Sequence, residues 1–349
     1  MKVTLASNHG VFGGGEVMLF ALAEAARNQG HEVTIVAPAA PSDVVDEARR
    51  LGFGTVAISG RSSAAYLVNL RIWDARQRRG NGVLWCNGLR PALATSGHRR
   101  RVVHLHQEPG PRLRRLAELA QAGALATVVP SQAMASRLNR PCVVMPNWTA
   151  ELPARRPRRR EPGGPLVVGY LGRLSFDKGV HVLVSVVKTL REQGLDARLL
   201  VAGDTRFVAA SEAREIEGVI ASLGSIADHR GWMERGDFFD AVDVAVFPSV
   251  RRETFGLVVA ESMAARCPFV VSDAGALPEV AGADYPFIAP RDDARGLADV
   301  LRAAMAEPNW SQRLDSSHHR WLREFSPAAG RERLAAFLTR IQPQPGSEQ

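Results

Sequence analysis

The sequence predicts an α/β protein built from two doubly wound parallel sheets, and three features carry that expectation. A strand, a glycine-rich turn, a helix and a second strand open the chain between Val3 and Ala37. Periodicity then fails in a proline- and arginine-rich stretch, 151–165, and a fresh strand-loop-helix-strand series starts at Leu166. Alternating strands and helices of this kind cover both faces of a mostly parallel sheet. The break is therefore read as a linker between two such domains, 1–150 and 166–326. A chain of 349 residues has room for both, at roughly 100 to 200 residues each.

Apolar residues make up 46% of the chain and charged residues 23%, an ordinary soluble globular composition. No apolar run approaches the roughly 18 residues of a membrane-crossing helix, and Met1 to Leu5 enters a strand directly, so a cytoplasmic enzyme is expected. Cys86, Cys142 and Cys267 lie far apart in apolar surroundings and read as buried thiols without disulfide or metal duty. The net charge of +8 is almost wholly arginine, since Lys2, Lys178 and Lys188 are the lysines. Basic runs at 76–79, 98–101, 112–115 and 155–160 are expected to be solvated surface, with peripheral contact to an anionic membrane or an anionic acceptor as the alternative. No nucleic-acid-binding motif accompanies them, so nucleic acid is not an expected partner.

In the first half, Val3 to Ser7 is a short apolar, β-branched run, followed by the turn Gly10-Val11-Phe12-Gly13-Gly14-Gly15. A helix over Glu16 to Asn28, stopped at Gly30, leads to a strand over His31 to Ala37. Consecutive glycines let backbone approach a ligand, and the helix behind them offers its positive end to phosphate. The spacing is not Gly-x-Gly-x-x-Gly and no acidic residue closes the second strand, which disfavours a dinucleotide site. Further strands are expected at Gly82–Cys86, Val102–His106, Ala126–Pro130 and Cys142–Met145. Alternation puts His104 and His106 on one side of their strand, with His106 at the end where α/β active sites open. Ser131 caps a short helix, and Pro146-Asn147-Trp148 closes the half.

The second half repeats the plan with a strand Leu166–Leu171, a loop Gly172-Arg173-Leu174-Ser175-Phe176-Asp177-Lys178-Gly179, a helix Val180–Gln193 and a strand Arg198–Asp204. At a strand-to-helix turn, Arg173 as a planar fork and Lys178 as a point charge can reach two phosphates, although alone they fit a surface charge pair equally well. After Gly231-Trp232, Val244 to Ser249 reads as a strand, and Glu253-Thr254-Phe255-Gly256-Leu257-Val258-Val259-Ala260-Glu261 as the loop beyond it and the front of a helix. Gly256 and Leu257 would present backbone N–H groups there, able to hold an anion or a row of hydroxyls. Glu261 falls on roughly the same helix face as Glu253, about two turns on, and in an apolar helix it needs a partner. A strand Pro268–Asp273, a turn Gly275–Val280, and helices over Asp293–Ala306, Trp310–Phe325 and Pro327–Ile341 follow, with 342–349 as a disordered tail.

In this order the motifs resemble those of the retaining glycosyltransferases of family 4. Gly13-Gly14-Gly15-Glu16 is similar to the family's donor-facing glycine loop, His106 to its strand-end histidine, and Pro146-Asn147 to its Pro-Asn-Gly step. Arg173 with Lys178-Gly179 resembles its diphosphate pair, Gly231-Trp232 its nucleobase region, and Glu253 with Glu261 its Glu-x7-Glu motif. Two departures are Gln107, where the family commonly has Asp, and Trp148 in place of Gly. The resemblance implies the GT-B fold, two Rossmann-like doubly wound domains facing each other across a cleft. The first would serve the acceptor and the second the donor, with the last helix packing back on the first through Leu334, Phe337 and Leu338.

It further implies retaining transfer of a hexose-type sugar from a UDP- or GDP-sugar, UDP being the more frequent in the family, to a hydroxyl acceptor. That acceptor would be a cell-envelope or lipid-linked glycan or an antibiotic aglycone. Arg173 and Lys178, with main-chain N–H groups of Gly14, Gly15, Phe255, Gly256 and Leu257, would stabilise the departing diphosphate. Glu253 would orient the sugar, Glu261 hold ribose hydroxyls, His106 contact the sugar, Asn147 lie near the donor phosphate, and Gly231 and Trp232 lie against the base. With no Asp-x-Asp element in a strand-end loop, neither a metal nor another cofactor is expected to be required. A GT-B sugar-nucleotide epimerase and a non-catalytic nucleotide-sugar-binding homologue are the alternatives.

Overall fold

A computed structural model describes residues 1–60, 62–77, 82–153, 163–206 and 208–342. They form two compact units, Met1–Trp148 with Pro327–Gln349, and Thr149–Ser326. Most of the expected linker, all of the basic run 155–160, half of the run 76–79, and the expected tail beyond Gln342 lie outside the described residues.

The first unit contains strands β1 (Lys2–Ser7), β2 (Glu32–Pro38), β3 (Gly54–Ile58), β4 (Val83–Asn87), β5 (Arg101–His104), β6 (Ala126–Val129) and β7 (Val143–Val144). Its helices are α1 (Gly14–Asn28), α2 (Asp43–Arg50), α3 (Ser63–Gln77), α4 (Leu89–Ala94), α5 (Arg114–Gln121) and α6 (Gln132–Ala135). All strands are parallel, in the order β3-β2-β1-β4-β5-β6-β7. Helices on both faces bury the central strands completely, which is why β4 reads as an unbroken apolar run ending in Asn87. On one face α3, α4 and α5 pack side by side.

The second unit holds β8 (Leu166–Leu171), β9 (Ala197–Ala202), β10 (Ala227–Gly231), β11 (Val244–Phe247), β12 (Phe269–Ser272) and β13 (Ile288–Ala289). Between and after them come α7 (Val180–Glu192), α8 (Ala210–Ala221), α9 (Arg235–Ala241), α10 (Leu257–Ala264), α11 (Leu277–Ala281), α12 (Ala294–Met305) and α13 (Trp310–Glu324). The strand order is β10-β9-β8-β11-β12-β13, again all parallel. One apolar core lies around α7 and α12, and a second around α10 and α13.

The final helix, α14 (Pro327–Ile341), belongs to the first unit and packs on α1. Leu334, Phe337 and Leu338 are buried, and Phe337 meets Trp85 edge to face at 5.5 Å between ring centroids. Trp148 is buried against Gly330, where a Cβ would come within 2.3 Å of the indole. The tryptophan in the Pro-Asn-Trp step is thus a packing anchor for α14.

Two expectations are corrected. The run 98–101 is not all solvated surface: Arg101 is fully buried, donating to the carbonyls of Thr95 at 2.8 Å, Ala120 at 2.6 Å and Ala122 at 2.8 Å. Its neighbour His98 is buried against Asp74, with Nδ1 to Oδ1 at 2.6 Å. A guanidinium suits this place because it satisfies the orphan carbonyls that end α4 and α5. Cys142 is only half-buried, whereas burial pushes the Cys86 thiol up to about 12.

Candidate functional site

In each sheet the strand order reverses once, at β1/β4 and at β8/β11, and the carboxyl ends of strands at such switch points are where ligand crevices open. In the second unit the loops after β8 and β11 meet there. Val250 N–H and Arg251 N–H donate to Asp177 O at 2.9 and 3.1 Å, and Gly179 lies so close to Pro248 that a Cβ would sit 1.9 Å from its carbonyl oxygen. Glycine is needed twice over, since φ there is 74°. This contact carries Lys178 to the end of β11, where Nζ pairs with Glu253 Oε1 at 2.6 Å. Ser249 donates to the same oxygen at 2.6 Å.

Burial alone would raise the Glu253 carboxyl, but the Lys178 ammonium, the Ser249 hydroxyl and the more distant Arg173 guanidinium outweigh it and hold the group below the usual carboxylate range. Its main chain is pinned as well, with Ala276 N–H donating to Glu253 O at 2.9 Å. Arg173 is exposed in the loop after β8, its carbonyl accepting from the Tyr170 hydroxyl at 2.7 Å. In the same loop the buried Ser175 hydroxyl finds no hydrogen-bond partner among the described residues.

Gly256, at φ 106°, precedes the first turn of α10, so the N–H groups of Leu257 and the next residues open towards this loop cluster. Phe255 is buried, facing Phe325 at 5.5 Å. Glu261, on α10, finds its partner in Arg235, Nε to Oε2 at 3.0 Å; burial outweighs that cation and raises the carboxyl. Gly231 ends β10 at φ 66°, its carbonyl accepting from Gly203 N–H at 2.7 Å, and Trp232 beyond it is 62% exposed.

In the first unit, the Asn87 amide donates to Gly15 O at 2.8 Å, which leaves Oδ1 to accept from His106 Nε2–H at 2.7 Å. Gly15 is in contact with the imidazole, since a Cβ there would lie 3.3 Å from Cδ2. Burial lowers His106 to about 4, so the ring is neutral at physiological pH. His104 lies beneath it at 4.0 Å between centroids, accepting at Nδ1 from Trp85 Nε1–H at 3.3 Å. Burial, then the neighbouring His106, hold His104 well below the usual histidine range.

At the mouth of the glycine loop His9 Nδ1 accepts from Arg90 at 3.0 Å, and Glu16 is buried behind it. Asn147 is buried in this unit, its Oδ1 without a hydrogen-bond partner among the described residues.

The structure therefore gathers Lys178, Glu253, Gly256 and Leu257 in one place, with Arg173 earlier in the loop that carries Lys178, and His106 with Gly14 and Gly15 in another. Glu261 is set apart on Arg235. Sequence reasoning missed Asn87, Ser249, Arg235, Arg90 and His9. Asn87 and Ser249 had a signal, as polar residues at or just past the carboxyl ends of apolar strands. Arg235 had none beyond the requirement that Glu261 be paired. Among the described residues no group of three or more His, Cys, Asp or Glu side chains is placed to hold a metal ion.

Residues 12–150 match the family model described as Glycosyltransferase Family 4, and residues 165–307 the one described as Glycosyl transferases group 1. A glycogen synthase of Mycobacterium tuberculosis (strain CDC 1551 / Oshkosh) is 33% identical over 202 residues, 55% of this chain and 47% of that protein. A phosphatidyl-myo-inositol mannosyltransferase of Mycolicibacterium smegmatis is 26% identical over 327 residues, 83% of this chain and 80% of that protein. The crystal structure of Anabaena Alr3699/HepE, in complex with UDP and glucose, aligns with a TM-score of 0.81 at 18% identity, covering 97% of this chain and 99% of that one. The chain spans about half the length of the first curated relatives it matches.

Proposed function

Because the chain belongs to glycosyltransferase family 4, with the GT-B fold, we propose that it transfers a hexose-type sugar from a nucleoside-diphosphate sugar to a hydroxyl acceptor, with retention. The observation that carries this reading is the convergence of Lys178, Glu253 and the α10 N-terminus at the switch point of the second sheet. Cations and open N–H groups there suit a departing diphosphate, and a carboxylate held ionised suits sugar hydroxyls. The diphosphate would draw on Arg173 and Lys178, and Glu253, released from part of its ion pair, would orient the ring. On the first unit His106, neutral and fixed as its Nε2–H tautomer, is assigned to the sugar, with Gly14, Gly15 and Asn147 towards the donor phosphate. Glu261 would exchange its Arg235 partner for ribose hydroxyls, beside Gly231 and Trp232 at the base.

UDP is the favoured nucleotide, since the related HepE structure contains UDP and glucose. The acceptor we favour is a lipid-linked or cell-envelope glycan, in keeping with the mannosyltransferase relative named for phosphatidyl-myo-inositol. A natural-product aglycone is the other acceptor class. With fixed cations to balance the leaving group, the reaction is proposed to need no divalent metal. Activity that EDTA leaves intact is the expected result, and complete loss restored by Mg²⁺ would overturn it.

A panel of UDP- and GDP-sugars scored for slow hydrolysis tests the reading without an acceptor. One donor should be cleaved with release of its nucleoside diphosphate. Binding without turnover would indicate a non-catalytic homologue, and acceptor-free conversion into another sugar nucleotide an epimerase. Once an acceptor is found, an anomeric configuration matching the donor's supports retention. Arg173→Ala and Lys178→Ala should each raise the barrier by roughly 2 to 4 kcal/mol, the scale of losing one oxyanion-hole donor. Near-normal turnover in folded variants would remove the diphosphate assignment.

A further inference from the structure

The helix α5 is turned inside out. Its buried face carries Ala117, Ala120 and Gln121, while Leu116 is 42% and Leu119 62% exposed. Leu113, in the turn leading into α5, continues the stripe at 46%. A helix that served only its own domain would face those leucines inward, since burying apolar side chains is the main favourable contribution to folding. On the same side of the sheet, α3 directs Val68 and Ile72, one turn apart and 57% and 47% exposed, away from the core. The intervening α4 packs on both, and Arg71 on α3 donates to Ala94 O at its end. The apolar residues therefore belong to one helical layer.

The charge around them is predominantly positive. Arg76, Arg112, Arg114 and Arg115 are exposed on the same elements. Of their acidic neighbours Asp74 is buried with His98, Glu108 pairs with Arg137 at 2.8 Å, and Glu118, held by the Asn139 amide at 2.7 Å, is outnumbered by the arginines. An outward leucine row flanked by arginines is the composition of a surface that lies in a lipid headgroup layer, apolar side chains entering and cations meeting phosphate. A second copy of the chain fits poorly, because a two-fold contact would set these arginines against their own counterparts.

We propose that the α3–α5 layer docks on an anionic lipid surface. Such docking would not depend on the reaction assigned above, and its test reads no activity.

The full chain is sedimented with vesicles of phosphatidylcholine alone and of phosphatidylcholine mixed with phosphatidylglycerol, at low and high salt. Association with the anionic vesicles, weakened by salt, is expected. Replacing Arg112, Arg114 and Arg115 with Ala should weaken it roughly a hundred-fold, at about five-fold per arginine. A second variant, Leu113→Ser with Leu116→Ser and Leu119→Ser, should abolish association with the vesicles while the chain stays folded by circular dichroism, because the three side chains are already 42–62% exposed. No sedimentation with anionic vesicles, or binding unaffected by both variants, would overturn the proposal. So would a parent that self-associates in light scattering and becomes monomeric in the leucine variant, which would make the layer a contact between chains.

Discussion

Burial keeps His106 neutral, and Asn87 keeps its proton on Nε2 by giving its own amide hydrogens to Gly15. Replacing Asn87 with Asp sets a carboxylate against that N–H, so the imidazole pKa should climb from about 4 towards the ordinary histidine value. NMR titration of the ring nitrogens reads this directly, and an unchanged pKa would break the proposed link.

Glu16 gives the opposite lesson about burial. Desolvation lifts its carboxyl to about 7, against the pull of the nearby N–H groups of Glu16, Gly13 and His9 and the Ser7 hydroxyl. The folded chain holds this proton more tightly than the unfolded chain, whose value is 4.5, so its contribution is full below pH 4.5 and lost as pH rises to about 7. The loss should be on the order of 3 kcal/mol. Urea unfolding across that window should show the decline in the parent and not in Glu16→Gln. Glu253 works the other way: its depressed carboxyl contributes above 4.5, and the contribution disappears as pH falls through its folded value.

At the scale of elements, α10 begins where it does because Gly256 takes a left-handed conformation and passes so close to Leu277 that a Cβ would lie 2.5 Å from Cδ2. Gly256→Ala should therefore lower stability by about 1 to 3 kcal/mol, visible as a drop in melting temperature, and should tilt the N–H groups of the first turn. A variant melting with the parent would show the turn to be unstrained. Strongly periodic helices and apolar strands were legible in the sequence, with Leu166–Leu171 and Pro327–Ile341 read to the residue. The strand β10 was not, because Ala-Asp-His-Arg-Gly has no apolar alternation and pairs on one side only, with β9. The span holding α2, β3 and α3 gave no reading either. In α3, Val68 and Ile72 face outward while Asp74 faces inward, which erases the pattern that marks a helix.

Across the whole molecule, two parallel sheets each reverse strand order once, and the loops that carry Gly14 with Gly15, Arg173 with Lys178, and Glu253 leave strands that flank those reversals. Backbone-determined features such as the Gly179 contact with Pro248 were visible as glycines; the side-chain partners Asn87, Ser249 and Arg235 depended on tertiary approach and were not. The roles assigned in the second unit turn on whether Arg173 and Lys178 grip a nucleoside diphosphate. Calorimetric titration of UDP, with GDP alongside, into the parent, Arg173→Ala and Lys178→Ala measures that grip. At least tenfold weaker binding in each folded variant, the scale of about 1.4 kcal/mol, is the expected result. Equal affinity in all three proteins would contradict it.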